Sequence, residues 1–174
     1  MALEFIGGNI GGGATIAGQV ALDVTENDSS ARFHLGACVL MWDTTLSCVQ
    51  EFRYARGVAA VTVGDAVILK CGDNAGILLD DSVSGAEIAS VIGWAMAAVV
   101  AAEYGWFHIS GRVTANVAAS FAANNLIWTT TTAGTVDDSG DGHVLGARSE
   151  SAIGTPASGQ AYIDVDHANA AVDI

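Results

Sequence analysis

The chain has 174 residues, with 6 Lys and Arg against 19 Asp and Glu, a formal net charge of −13. Hydrophobic residues make up 51% and charged residues 14%, which excludes a mainly disordered chain, because such chains are poor in apolar residues and rich in charge. Six cations cannot supply the counterion-releasing contacts of a phosphate-backbone binder, so nucleic acid is excluded as a partner.

The length suits one domain with a real core. Three cysteines, Cys38, Cys48 and Cys71, give an odd count with no paired spacing, so buried thiols of an intracellular protein are expected rather than a disulfide scaffold. The opening Met1-Ala2-Leu3-Glu4-Phe5-Ile6 lacks the basic start and apolar run of a signal peptide. The longest uncharged apolar stretch, Ile88 to Ala102, is shorter than the roughly 18 residues a spanning helix needs, so no membrane is expected.

In chain order, residues 1–18 read as a Gly-rich arm, and residues 19–174 as a single β domain. Gly7-Gly8-Asn9-Ile10-Gly11-Gly12-Gly13 costs too much backbone entropy for a stable helix or an isolated strand. The arm is expected to be mobile or ordered only along a partner. It lacks GxGxxG or Walker spacing, which argues against a phosphate loop.

Beyond the arm the signals are those of short strands. Gln19–Val24 alternates, Phe33–Trp42 is an apolar run between polar clusters, and Val58–Val63 precedes Gly64-Asp65 and Ala66–Leu69 as strand, tight turn, strand. Further strands are predicted at 106–109, 112–117, 126–130, 143–147 and 160–165, separated by turn residues. Glu87–Glu103 has enough Ala for a helix, but Val91, Ile92, Gly93, Val99 and Val100 favour two strands or one bent strand. The expected fold is mainly β, a small barrel or sandwich with at most one short helix. An echo links Val67-Ile68-Leu69, Ala75–Asp81 and Val91-Ile92-Gly93 to Leu126-Ile127-Trp128, Ala133–Asp138 and Val144-Leu145-Gly146, at offsets drifting between 53 and 59 residues. Either one β unit is used twice, or strand–turn–strand text simply looks alike.

No enzyme, metal or cofactor chemistry is predicted. GxSxG, HExxH and CxxC are missing, and His34, His108, His143 and His167 are scattered. His34 and Cys38 would share a face of a strand but lie about 13 Å apart along it, too far for one metal. Asp137-Asp138-Ser139-Gly140-Asp141-Gly142 mimics the opening of an EF-hand, yet Arg148 stands where the closing Glu should be. The sequon Asn27-Asp28-Ser29 carries no weight without a sign of secretion.

Aromatic residues cluster instead, Phe52, Tyr54, Tyr104, Trp106 and Phe107, with Arg53, Arg56 and Arg112 nearby. That composition suits protein–protein anchors and equally suits a core with snorkelling neighbours. Phe52, Arg53, Tyr54, Arg56, Tyr104, Trp106 and Phe107, with Gly11, Gly12 and Gly13 of the arm, are the candidate interaction residues.

The segments Glu51–Gly57 with Ala59–Val67, Glu103–Gly111, and Thr132–Asp138 followed by Val144–Ala147 resemble recurrent blocks of tailed-phage head decoration (capsid cement) proteins, as does the closing Gln160–Val165. The resemblance covers about residues 50–166. It implies a virion structural protein on the capsid exterior, assembled in the host cytoplasm. Its partners would be the major capsid protein and itself, as a homotrimer, with no catalytic residues to transfer. A receptor- or glycan-binding β module of a tail or surface structure is the alternative, and it predicts exposed aromatics at loop tips.

Overall fold

The computed structural model describes residues 3–9, 23–70, 72–82, 90–140, 142–154 and 158–170. Among them there is no helix, as expected of so β-branched and Gly-punctuated a chain. Twelve strands form one mixed sheet: β1 Leu3–Asn9, β2 Asn27–Asp28, β3 Cys38–Asp43, β4 Cys48–Gly57, β5 Ala66–Leu69, β6 Ala75–Leu78, β7 Val91–Ala95, β8 Tyr104–Val117, β9 Leu126–Thr129, β10 Val136–Asp137, β11 His143–Ser149 and β12 Gly159–Ala170. β1 is the opening part of the Gly-rich arm, and it lies antiparallel along the chain's own β3. Gly11, Gly12 and Gly13 lie outside the described residues.

The ladders repeat. Leu3 pairs with Asp43 and Asp43 with Cys48; Ala66 pairs with Trp94 and Trp94 with His108; Leu126 pairs with Arg148 and Arg148 with Asp164. The chain is thus three successive antiparallel meanders, β1-β3-β4, β5-β7-β8 and β9-β11-β12. The last strands of neighbouring meanders pair in turn, Tyr54 with Trp106 and Thr114 with Tyr162. The short strands β6 and β10 each lie parallel to the last strand of the meander before, Gly57 opposite Gly76 and Val117 opposite Val136.

These pairings close two five-stranded rings, β4-β6-β5-β7-β8 and β8-β10-β9-β11-β12, which share the 14-residue β8. Of the two readings of the sequence echo, the pairings favour one β unit used twice, but in a different register. Val58 donates to Gly76 O as Ala118 donates to Val136 O, and Val99 donates to Val61 O as Ile153 donates to Phe121 O. The first strands of the second and third meanders are offset by 60 residues, so Val67 corresponds to Ile127 rather than to Leu126. A slip of one residue would have turned every side chain to the other face.

Each ring holds its own apolar filling. Ala55, Val67, Leu69, Ala95, Phe107 and Ile109 pack in the first, and Val113, Ala115, Ile127, Val144, Ile163 and Val165 in the second. Four glycines in strands of the first ring, Gly57, Gly76, Gly93 and Gly105, take the places of Val117, Val136, Val144 and Ala161 in the second. A Cβ at Gly105 would stand 2.6 Å from Val99 Cγ2, and one at Gly93 would stand 3.0 Å from Leu69 Cδ1 and Phe107 Cβ. Small residues against large ones fill the taper of a narrow barrel.

Several local expectations are corrected. In the Phe33–Trp42 run only the part from Cys38 on is strand; Gly36, at φ 82°, turns the chain before it, and Ala37 N donates to His34 O. Val58–Val63 is not a strand, its sole ladder contact being the bridge of Val61 to Val99. Of Gln19–Val24, residues 19–22 lie outside the described residues, and Asp23-Val24 enters a turn in which the Asp23 carboxylate accepts from Thr25 N. The predicted strands 106–109 and 112–117 are one strand, bent where Gly111 sits at φ 111°. Within 87–103, residues 87–89 lie outside the described residues, and the rest contains β7 and the Val99 bridge, in keeping with the strand reading.

Candidate functional site

The Glu51–Gly57 block is most of strand β4, and its ladder with β8 brings the two aromatic segments together. Phe52 faces His108, Arg53 faces Phe107, Tyr54 faces Trp106 and Arg56 faces Tyr104. Alternation then separates them. Phe52, Tyr54 and Trp106 point to one side, where they pack with Val39, Met41 and the partly buried Phe33 and Tyr104. Phe107 points into the first ring. Phe52, Tyr54, Trp106 and Phe107 are at most 2% exposed, so of the two readings of the aromatic block they fill the interior of the chain. Burial pushes the Tyr54 hydroxyl up to about 12; it donates to Asp28 Oδ2 at 2.9 Å.

The cations divide differently. Arg53 is half-buried and donates from Nη2 to Asn74 Oδ1, whereas Arg56 is exposed. Arg112 pairs with Glu150 and lies 4.3 Å from the ring centre of Tyr162. Sequence reasoning overlooked Tyr162, whose only signal was its place in an alternating strand; it is 46% exposed.

No group of three or more His, Cys, Asp or Glu residues is placed to hold a metal among the described residues. In the acidic turn, Asp137 Oδ1 accepts from Asp138 N and Asp138 Oδ2 from Asn125, while Asp141 lies outside the described residues. His34 is exposed in the turn before β3 and Cys38 is half-buried. Cys38 and Cys48 are free thiols, and burial pushes both up, away from the thiolate form. Cys71 lies outside the described residues.

Two surface features remain. The first is the outward face of β9 and β11. In the second meander the corresponding residues Ala66, Ile68, Ile92 and Trp94 are buried, joined in one apolar cluster with the filling of the second ring. In the third meander, Leu126 is 46% exposed and Leu145 43%, and Trp128, His143 and Arg148 are half-buried or exposed beside them. The second feature is a cavity of about 350 Å³ where the turn after β3, the turn at Val63, the end of β7 and the β8–β12 ladder meet. His108, at its wall, stacks on Phe52 with ring centres 4.7 Å apart, and its Nε2–H donates to Ser110 O at 2.8 Å. Burial pushes the imidazole down to about 4, so it is neutral near pH 7.

No protein-family model matches the chain, and no curated protein matches it in sequence.

Proposed function

We propose that this is a virion structural protein, a decoration or cement protein on the outside of an icosahedral phage capsid that stabilises contacts between major capsid protein subunits. The observation that carries the reading is the outward face of β9 and β11. A chain of stacked units needs a polar outer face on its last unit. Here the last meander keeps Leu126 and Leu145 uncovered on the face that its predecessor buries. That is the arrangement of a protein built to be covered by a neighbour, here a second copy in a homotrimer or the shell itself.

The rest is in keeping with it. Apolar side chains are spent on cohesion in two narrow rings, the charge is strongly negative, and the segments that resemble cement proteins fall on β4, β8, β10 to β11 and β12. An acidic exterior holds particles apart and keeps the protein off packaged DNA. For the alternative glycan-binding module, the exposed aromatics among the described residues, Trp42 and Tyr162, sit within strands β3 and β12 rather than in a ring at loop tips, which favours the first reading.

The deciding experiment is co-sedimentation with expanded, mature heads. Saturable binding at micromolar concentration is expected, with no binding to unexpanded shells. Failure to bind expanded heads would overturn the proposal.

A further inference from the structure

Two segments cross the same end of the first ring. Residues 57–64 lead from the end of β4 to β5, and residues 95–102 lead from the end of β7 to β8. They run side by side, tied by Val61 and Val99 donating to each other's carbonyl, by Ala102 N to Gly57 O and by Gly64 N to Ala95 O. Val61 and Val99 are buried with the filling of the ring. Val58, Val63 and Val100 are 48%, 49% and 49% exposed, and the other exposed residues of the two segments are Thr62 and alanines. Neither segment contains a charged residue; Arg56, Asp65 and Glu103 stand at their borders.

The second ring has the same cover, built from different side chains. Asn124 N donates to Ser149 O as Gly64 N donates to Ala95 O, and Ser149 N to Asn125 O as Ala95 N to Asp65 O. Val58, Val63 and Val100 therefore correspond to Ala118, Ala123 and Gly154. The second cover also presents Ser120, Asn124 and Glu150 to solvent. Of two covers with one hydrogen-bond pattern, one is trimmed and polar and the other carries half-exposed branched apolar side chains. Contact with water does not call for those valines, whereas contact with another protein does.

We propose that this end of the first ring is the face on which copies of the chain meet about a rotation axis. The choice of occupant follows from charge. Copies of a chain with a net charge of −13 repel one another, and near an axis each side chain approaches its own counterpart, so a charge there meets its like. An uncharged face meets no such repulsion, and its charges lie at the rim, as in protein–protein interfaces. The β9–β11 face suits a second copy less well, because the exposed Arg148 stands opposite Leu126. A lipid surface suits the valine face less well, because its exposed residues include none of the Trp, Tyr, Lys and Arg that anchor proteins at membranes. The inference rests on the homotrimer of the reading above, assigns its self-contact to this face, and leaves the β9–β11 face to the shell.

The test is sedimentation equilibrium of the full chain at micromolar concentration. Val58→Asp with Val100→Asp is compared with Ala119→Asp with Gly154→Asp, which adds the same charge to the end of the second ring. An oligomer is expected for the wild type and for the second-ring pair, with association at least tenfold weaker in the first-ring pair. Val58→Ser with Val100→Ser is expected to weaken association too, and covers the case in which the aspartates prevent folding. A monomeric wild type overturns the inference. So does an unchanged oligomer in the first-ring pair, or an equal loss in both pairs, which would reflect added charge alone. Flotation of the wild type with phosphatidylcholine vesicles, lost in the first-ring pair, would make the face a lipid contact and overturn it as well. Co-sedimentation with heads separates the two proposals. An oligomer that depends on Val58 and Val100 but ignores heads keeps this inference and overturns the capsid reading, whereas a monomer that binds heads does the reverse.

Discussion

Tyr54 on β4 and Trp106 on β8 are cross-strand partners whose ring centres stand 5.1 Å apart at 55°, with Phe33 placed 5.2 Å from each. This contact joins the last strands of the first two meanders, so losing it should damage the whole chain. Trp106→Ala is expected to cost about 3–5 kcal/mol, the range for removing a large buried ring. The midpoint of urea unfolding measures it. An unchanged midpoint would mean that the ring contributes nothing to the core.

The glycines of the first ring make a paired prediction. Gly105→Ala puts a methyl against Val99 and is expected to cost about 1–3 kcal/mol, as overpacking does. Ala161→Gly, at the corresponding place in the second ring, removes a methyl and adds backbone freedom, for a loss of about 1 kcal/mol. Comparing the two melting curves tests whether the rings are filled by different means.

His108 gives an acid limb to stability. Its folded pKa of about 4 lies below the ordinary 6.5, so below pH 6.5 the unfolded chain takes up the proton first. Stability from this group is intact above pH 6.5, falls as the pH drops toward 4 and levels off below, a total of about 3 kcal/mol. His108→Gln should flatten this limb in the difference between wild-type and variant unfolding curves from pH 7 to pH 4.

His167 behaves in the opposite sense. The neighbouring Asp166 carboxylate and Glu51, 2.9 Å away on β4, hold its pKa above the ordinary 6.5. The stabilisation is full below pH 6.5 and is lost as the pH rises through the elevated folded value. The ring is half exposed, so the effect is under about 1 kcal/mol. His167→Gln is expected to lower Tm at pH 5.5 and to leave it unchanged at pH 9.

For the outward face of β9 and β11, Leu126→Glu with Leu145→Glu is expected to leave the melting temperature within about 3 °C, since both side chains are exposed. Sedimentation equilibrium should then show the proposed homotrimer reduced to monomer, or head binding lost if the shell is the proposed occupant. A variant that still assembles and still binds heads would remove this face from the proposed contact.

Alternation and turn residues made β9, β11 and β12 legible, because a strand buried on one face writes its period of two into the sequence, whereas β5, buried at all four positions, was legible as a short apolar run bounded by a turn. β4 was overlooked as a strand although Glu51 and Arg53 alternate with Phe52 and Tyr54, the period-two signal of a half-buried strand; that its apolar face is covered by β8, about 50 residues further on, only the structure shows. The Val58–Val63 run misled in the other direction: its apolar side chains pack on Val99 without forming a ladder beyond the single bridge.

The sequence by itself determined that the chain would be acidic, cohesive and mainly β, since half its residues are apolar and its apolar runs are short and separated by turn residues. Only the tertiary structure decided that the unit is repeated three times and in which register, because correspondence between strands is set by long-range hydrogen bonding and not by local text. It alone also decided that the aromatic block faces inward and that Leu126 and Leu145 lie bare. Exposure depends on what the remainder of the chain leaves uncovered, a quantity no local stretch of sequence contains.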